Sequence, residues 1–165
     1  MERVPTIALI AGISTFLLGF ILMGLLPWMA QSKIPMKSME DLARDIPADF
    51  YQLAEDYPEA FRRTYGQPDA QSFAKALRLG REVYIAEACW HCHSQYVRPV
   101  SNEDLRFGPV STVEEYMNEM NLPHLFGTRR VGPDLIRESG KHGNDWHVAH
   151  FFDPTLVTPS SVMPR

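Results

Sequence analysis

From Val4 to Ser32 the chain carries no charged residue, and Ile7 to Leu26 is an apolar run in which only Ser14 and Thr15 are polar. Twenty residues of helix rise about 30 Å, the depth of a bilayer core, so the run predicts one transmembrane helix. A cleavable signal sequence has a shorter apolar core, about 7 to 15 residues, followed by a small-x-small site. Trp28-Met29-Ala30 supplies no such site, which predicts an uncleaved anchor over residues 1–32. Pro27 and Trp28 stand where this helix is expected to leave the hydrocarbon, Trp being suited to the headgroup level.

After the anchor the pattern changes. Residues 33–72 are punctuated by Pro35, Pro47, Pro58 and Gly66-Gln67-Pro68, which predicts an extracytoplasmic linker with short helices. Ser38 and Asp41 have the spacing of a capping box, opening a helix that runs to Arg44. Acids predominate here, yet Phe50, Tyr51, Tyr57, Phe61 and Tyr65 are too many aromatics for a disordered tether. The stretch is expected either to pack on the following domain or a partner subunit, or to remain a solvated linker. From Asp69 onward, Phe73, Leu77, Gly80 and Tyr84 fall on one face of a helix leading into Cys89. Further helices are predicted over 113–120 and 144–152, with Gly and Pro breaking the chain between them. No alternating run long enough for a sheet occurs. The fold class is therefore mainly α: one N-terminal transmembrane helix, then a helical domain over 73–165.

The length of 165 residues suits one modest domain plus an anchor. With 20 acidic against 16 basic residues the net charge is -4, and no cluster of Lys and Arg offers a footprint for nucleic acid. Orientation is not legible from charge, since Arg3 on one side is balanced by Lys33 and Lys37 on the other. Only two cysteines are present, Cys89 and Cys92, so whatever they do they do as a pair.

Cys89-Trp90-His91-Cys92-His93 fits C-x-x-C-H, the attachment signature of a c-type haem. Two thiols at this spacing reach the two vinyl groups of one porphyrin, and the next residue brings an imidazole beneath the iron. One covalent haem c held by Cys89 and Cys92, with His93 as proximal ligand, is therefore expected, in a helical haem domain like that of class I cytochromes c. Covalent attachment takes place outside the cytoplasm, which sets the expected orientation. A zinc knuckle would need two further closely spaced Cys or His ligands. A Cu-A centre would need cysteines four residues apart. A membrane-anchored thiol-disulfide oxidoreductase is the reading of another class, because it also uses C-x-x-C, but its fold needs alternating strands and helices. For the second axial ligand, Met suits a high-potential haem. Met163, on a Pro-bounded loop 70 residues after His93, is the expected donor. Met117 and Met120 lie in a predicted helix, while His124, His142, His147 and His150 are the rivals that would make a bis-His haem.

Arg129-Arg130-Val131-Gly132-Pro133-Asp134-Leu135 resembles the Gly-Pro-Asp-Leu loop of small c-type cytochromes. That resemblance implies that the Pro133 carbonyl accepts the N–H of the proximal imidazole. Arg129 and Arg130 are candidates to pair with a haem propionate, or are solvated charges. Gly80 and Tyr84 are expected opposite the Trp146 helix, in the close crossing that small cytochromes c use.

A wider set of residues narrows the resemblance: Cys92-His93-Ser94-Gln95, Arg98-Pro99, Arg106-Phe107-Gly108, Gly127 to Leu135, Asp145-Trp146-His147-Val148-Ala149-His150, Asp153-Pro154 and Val162-Met163-Pro164. In this order, over about residues 77–165, they resemble the mono-haem cytochrome c subunit of cbb3-type cytochrome oxidases. The stretch of about residues 36–72 is longer than the resemblance suggests, and the chain stops two residues after Met163, where relatives continue. The resemblance implies a single-pass subunit of the bacterial inner membrane with a periplasmic haem domain. It would take electrons from another cytochrome c and pass them to a haem-copper catalytic subunit that reduces oxygen, without bond chemistry of its own. The cytochrome c subunit of nitric oxide reductase is the alternative within electron transfer.

Overall fold

The computed structural model describes residues 3–95, 102–127 and 130–165. It divides into two units, residues 1–36 and 37–165.

In the first unit, α1 (Arg3–Phe20) and α2 (Leu26–Gln31) are joined by a π-helical turn, Ile21–Leu25. Together they make one helical stretch, Arg3–Gln31, apolar enough to cross a membrane. The helix continues past Pro27 to Gln31, within the expected anchor of residues 1–32. Proline removes an N–H and crowds the carbonyl four residues back, and the backbone widens by one residue just before it, with the Leu26 N–H reaching the Ile21 carbonyl. This lets the helix run on to Gln31. Along its exterior Ile7, Leu9, Phe16, Leu22 and Met23 are exposed, as a lipid-facing surface requires.

The second unit contains α3 (Met39–Ala43), α4 (Ala48–Asp56), α5 (Pro58–Thr64), α6 (Ala70–Ala86), α7 (Glu103–Phe107), α8 (Val113–Tyr116) and α9 (Asn144–Phe152). No strand forms among the described residues. The predicted capping box opens α3: the Asp41 N–H donates to Ser38 Oγ at 3.1 Å, and the Ser38 N–H donates to the Asp41 carboxylate at 3.2 Å. Asp69 and Ser72 make the same reciprocal pair at the start of α6.

The acidic stretch is not a solvated tether. Phe50 on α4 packs against Phe61 on α5 and Phe73 on α6, with ring centroids 5.1 Å apart in both cases. Phe50, Phe61, Met39 and Ala43 are buried. Polar contacts tie the same stretch to the end of the chain: Asp49 accepts from Ser139 Oγ and the Gly140 N–H, both at 3.0 Å, and Asp56 accepts from Asn144 Nδ2 at 2.7 Å. Tyr57 donates to Asp145. Residues 37–65 therefore form part of the same compact body as the C-x-x-C-H segment.

Two expectations are corrected. The helix predicted over 113–120 stops at Tyr116, and a 3-10 turn follows at Glu119–Asn121. Asn118 is the reason: its side chain donates to the Glu115 carbonyl at 3.0 Å and accepts the Asn121 N–H at 3.0 Å, competing with the helical ladder. The close crossing at Gly80 is also absent among the described residues, since a Cβ on Gly80 would meet nothing within 4 Å. Instead α9 packs on α4, and α6 on α3.

Phe50 sits at the centre of the aromatic cluster, so Phe50→Ala is expected to cost about 3 to 5 kcal/mol in urea unfolding. Glu115 accepts a bidentate pair from Arg137 at 2.6 and 2.7 Å. The Arg137 hydrogen bonds hold its carboxyl below the ordinary 4.5, with burial opposing. A depressed carboxyl stabilises the fold above its unfolded pKa and loses that contribution as pH falls through the folded one. Glu115→Gln should flatten the acid limb of the stability–pH curve by less than about 1 kcal/mol, because the pair is partly solvated.

Candidate functional site

The helix α6 ends at Ala86, and Ala88 turns the chain in the left-handed region at φ 55°. A 3-10 turn, Cys89–His91, follows. The Cys92 and His93 N–H groups both donate to the Cys89 carbonyl, at 3.2 and 2.9 Å. This sets Cys89, Cys92 and His93 on one tight turn. The two cysteines form no disulfide with each other. Burial, the largest effect on it, pushes the Cys89 thiol above its ordinary pKa.

The His93 ring is fixed on several sides. Its Nδ1 lies 2.8 Å from the Pro133 carbonyl, which assigns the proton to Nδ1 and leaves Nε2 as the nitrogen with a lone pair. A Cβ on Gly132 would come within 2.7 Å of both ring nitrogens, so the imidazole lies flat against a backbone that only glycine provides. Tyr84 donates to the His93 carbonyl at 2.6 Å. The Val131 and Gly132 N–H groups both donate to the Cys92 carbonyl at 3.0 Å, so the Pro133 loop and the C-x-x-C-H turn are bound backbone to backbone.

The residues after His93 are clamped in the same way. Ser94 Oγ accepts the Gly127 N–H at 2.8 Å, and Gln95 pairs with Leu125 through both backbone and side chain, at 3.0 and 2.7 Å. Gly127 has to be glycine as well, for a Cβ there would stand 2.8 Å from the His91 carbonyl oxygen. Sequence reasoning assigned no role to Ser94, Gln95, Tyr84 or Tyr116 in holding the site. Their signal was position alone, next to the haem motif or on the face of the preceding helix.

Beneath the loop lies a buried polar cluster. Arg130 pairs with Asp134 at 2.9 Å and Glu103 at 3.0 Å, and donates to the Ser94 carbonyl at 3.1 Å and Tyr116 Oη at 3.3 Å. Asp134 also accepts from Ser111, from Tyr116 and from the Ile136 N–H. Burial disfavours the Arg130 charge, but Asp134 and Tyr116 outweigh it and raise the pKa. Burial, with Asp134 adding, pushes the Tyr116 hydroxyl up to about 12. Arg130, a candidate propionate partner by sequence, is thus turned inward with most of its donors engaged. Arg129, the other candidate, lies outside the described residues, as do Arg98 and Pro99.

Met163 is half-buried beyond the 3-10 turn Pro154–Leu156, and its N–H donates to Ser161 Oγ at 3.2 Å. Arg165 pairs with Asp153 at 2.7 Å, closing the loop that carries Met163. Met117 and Met120 lie on the broken stretch after α8. Of the rival histidines, His124 is held to the Tyr116 carbonyl at 3.2 Å and His142 stacks on Trp146. A cavity of 340 Å³ lies between α6 and the Leu135–Arg137 turn, with His93, Tyr84, Met120 and Leu135 in its wall. Of the C-x-x-C-H turn only His93 is among its lining residues.

The family model for the mono-haem cytochrome c oxidase subunit, FixO, matches residues 65–165, more than half of the chain. The chain belongs to this family. It is accordingly a subunit of a cytochrome c oxidase complex of the cbb3 type, a mono-haem cytochrome with one helix fit to anchor it in a membrane. No curated protein matches the chain. The family match favours the oxidase over the nitric oxide reductase reading. A thiol oxidoreductase fares no better: its fold needs alternating strands and helices, and no strand forms among the described residues.

The residues present fit the haem of this FixO subunit. Two cysteines share one turn without a disulfide between them, one imidazole is held by a single nitrogen, and the loop behind that imidazole leaves no room for any side chain at position 132. Gly132→Ala should displace His93 and lower the haem content per polypeptide by about tenfold or more, the scale of second-shell changes at metal sites. Haem-stained gels read this, while circular dichroism should show helical content retained.

Proposed function

We propose that this subunit is an electron relay, holding one haem c through Cys89 and Cys92, with His93 as proximal and Met163 as distal iron ligand. The observation that carries this reading is the hydrogen bond from His93 Nδ1 to the Pro133 carbonyl, 2.8 Å, which keeps Nε2 for a metal. When bound, the haem supplies a one-electron couple; the polypeptide supplies everything that orients it. Pro133 and Gly132 hold the imidazole, and the hydrogen bond through Nδ1 makes the ring a stronger donor. Arg130 holds the loop from within, and Arg129 is the other candidate to meet a propionate.

The chain carries out no bond chemistry in this account. Reduction of oxygen belongs to a haem-copper partner subunit, and electrons arrive from another cytochrome c. The haem domain stands on the periplasmic face of the inner membrane, where thioether bonds are made, and the helix Arg3–Gln31 anchors it there.

In a host able to mature cytochromes c, the wild-type polypeptide should retain haem after denaturation, and Cys89→Ala combined with Cys92→Ala should abolish that staining. A colourless wild-type protein with two unmodified thiols would end the proposal. Met163→His should lower the midpoint potential by more than about 59 mV, a tenfold change in a one-electron equilibrium, and remove the far-red band of a Met-ligated ferric haem. An unchanged potential and band would move the distal ligand elsewhere.

A further inference from the structure

Gly80 stands inside α6, where glycine is a poorer helix former than alanine. Nothing in this chain asks for it, since a Cβ there would meet no heavy atom within 4 Å. What glycine offers at such a place is room for another backbone to come close. Gly80 lies in the wall of the 340 Å³ cavity, with Leu77 beside it and Met120, Leu135 and Ile136 also lining the space. Leu135 and Ile136 remain 47% and 37% exposed, so apolar surface there stays open to water. The helices of the unit pack elsewhere, α9 on α4 and α6 on α3.

Arg81 belongs to the same wall. Its Nη2 donates to the Pro123 carbonyl at 2.6 Å, and its guanidinium lies over the Tyr84 ring, 5.5 Å from the centroid. Nη1, however, is buried with no hydrogen-bond partner among the described residues. No carboxylate pairs with Arg81 there either. Burial lowers the Arg81 pKa, with Tyr84 opposing, yet a guanidinium keeps its proton in proteins. Buried polar atoms are paired almost without exception, so this N–H calls for an acceptor that the chain does not bring.

We propose that an apolar helix of a partner subunit of the oxidase crosses α6 at Gly80 and sets a carboxylate against Arg81 Nη1. The glycine selects a helix, because two helix axes come closest where one lacks a side chain. The orphan donor selects an acid, for a carboxylate satisfies both the N–H and the buried charge. A second copy of this chain is the wrong occupant, since its α6 crossing there would bring another Arg81 to the same place. The proposal rests on membership of the oxidase complex, and not on the electron relay.

The test uses the haem-loaded membrane complex purified in detergent. Gly80→Leu fills the crossing point and Arg81→Gln removes the charge. In G80L the amount of this subunit relative to the other oxidase subunits should fall by about tenfold, the scale of a blocked contact at the centre of an interface, and R81Q should lower it too. Both should keep covalent haem on the subunit. An unchanged ratio in either variant overturns the proposal, and loss of haem from G80L does so as well, by assigning the groove to the haem. A colourless wild type would instead overturn the proposed function. A photo-reactive residue, Ile136→p-benzoylphenylalanine, reads the occupant directly: it should attach to a helix of another oxidase subunit within one turn of an Asp or Glu. Attachment to this same chain, to a second copy or to lipid, or no attachment, refutes the partner helix.

Discussion

An imidazole can serve as a fixed ligand only if one of its nitrogens is held by the protein and the other is left alone. In this chain that condition is met by a single contact, His93 Nδ1 on the Pro133 carbonyl at 2.8 Å, and much of the surrounding structure serves to keep it. Gly132 lets the ring lie against the backbone, and two N–H groups of the loop grip the Cys92 carbonyl. Loop and motif, 40 residues apart in sequence, therefore behave as one piece.

The polar cluster under that loop explains how a segment with so little regular structure keeps its shape. A buried ion pair is a poor source of net stability, because desolvation offsets its attraction. Arg130, Asp134, Glu103, Tyr116 and Ser111 nonetheless satisfy one another in directional bonds, and directional bonds determine where a backbone sits more sharply than apolar contact does. A mono-haem subunit that must hold its cofactor in place benefits from a site whose position does not depend on loose packing. The acidic stretch before α6 adds to this from outside, with its aromatics packed against Phe73 and its carboxylates on the loop before α9 and on the first turn of that helix.

The fold also separates this FixO subunit from a thiol oxidoreductase with the same two cysteines: that fold alternates strands and helices, whereas the described residues form helices and no strand.

The membrane-length helix, the mainly helical class and the span of α9 were determined by sequence alone. Each depends on local physics: apolar length against bilayer depth, and period against helix geometry. The end of α8 at Tyr116 was not legible, because the competing bonds of Asn118 carry no periodic signal. Nor was the inward turn of Arg130, since a guanidinium between a glycine-rich loop and solvent reads the same whether it faces a propionate or Asp134. The fate of the stretch 37–65 was equally hidden: aromatic content says that area will be buried, and only the tertiary fold says against what. The sequence thus named Cys89, Cys92 and His93 as the candidates, because their spacing is local to the chain. Which nitrogen of His93 is held, and by whom, was decided only when distant segments met.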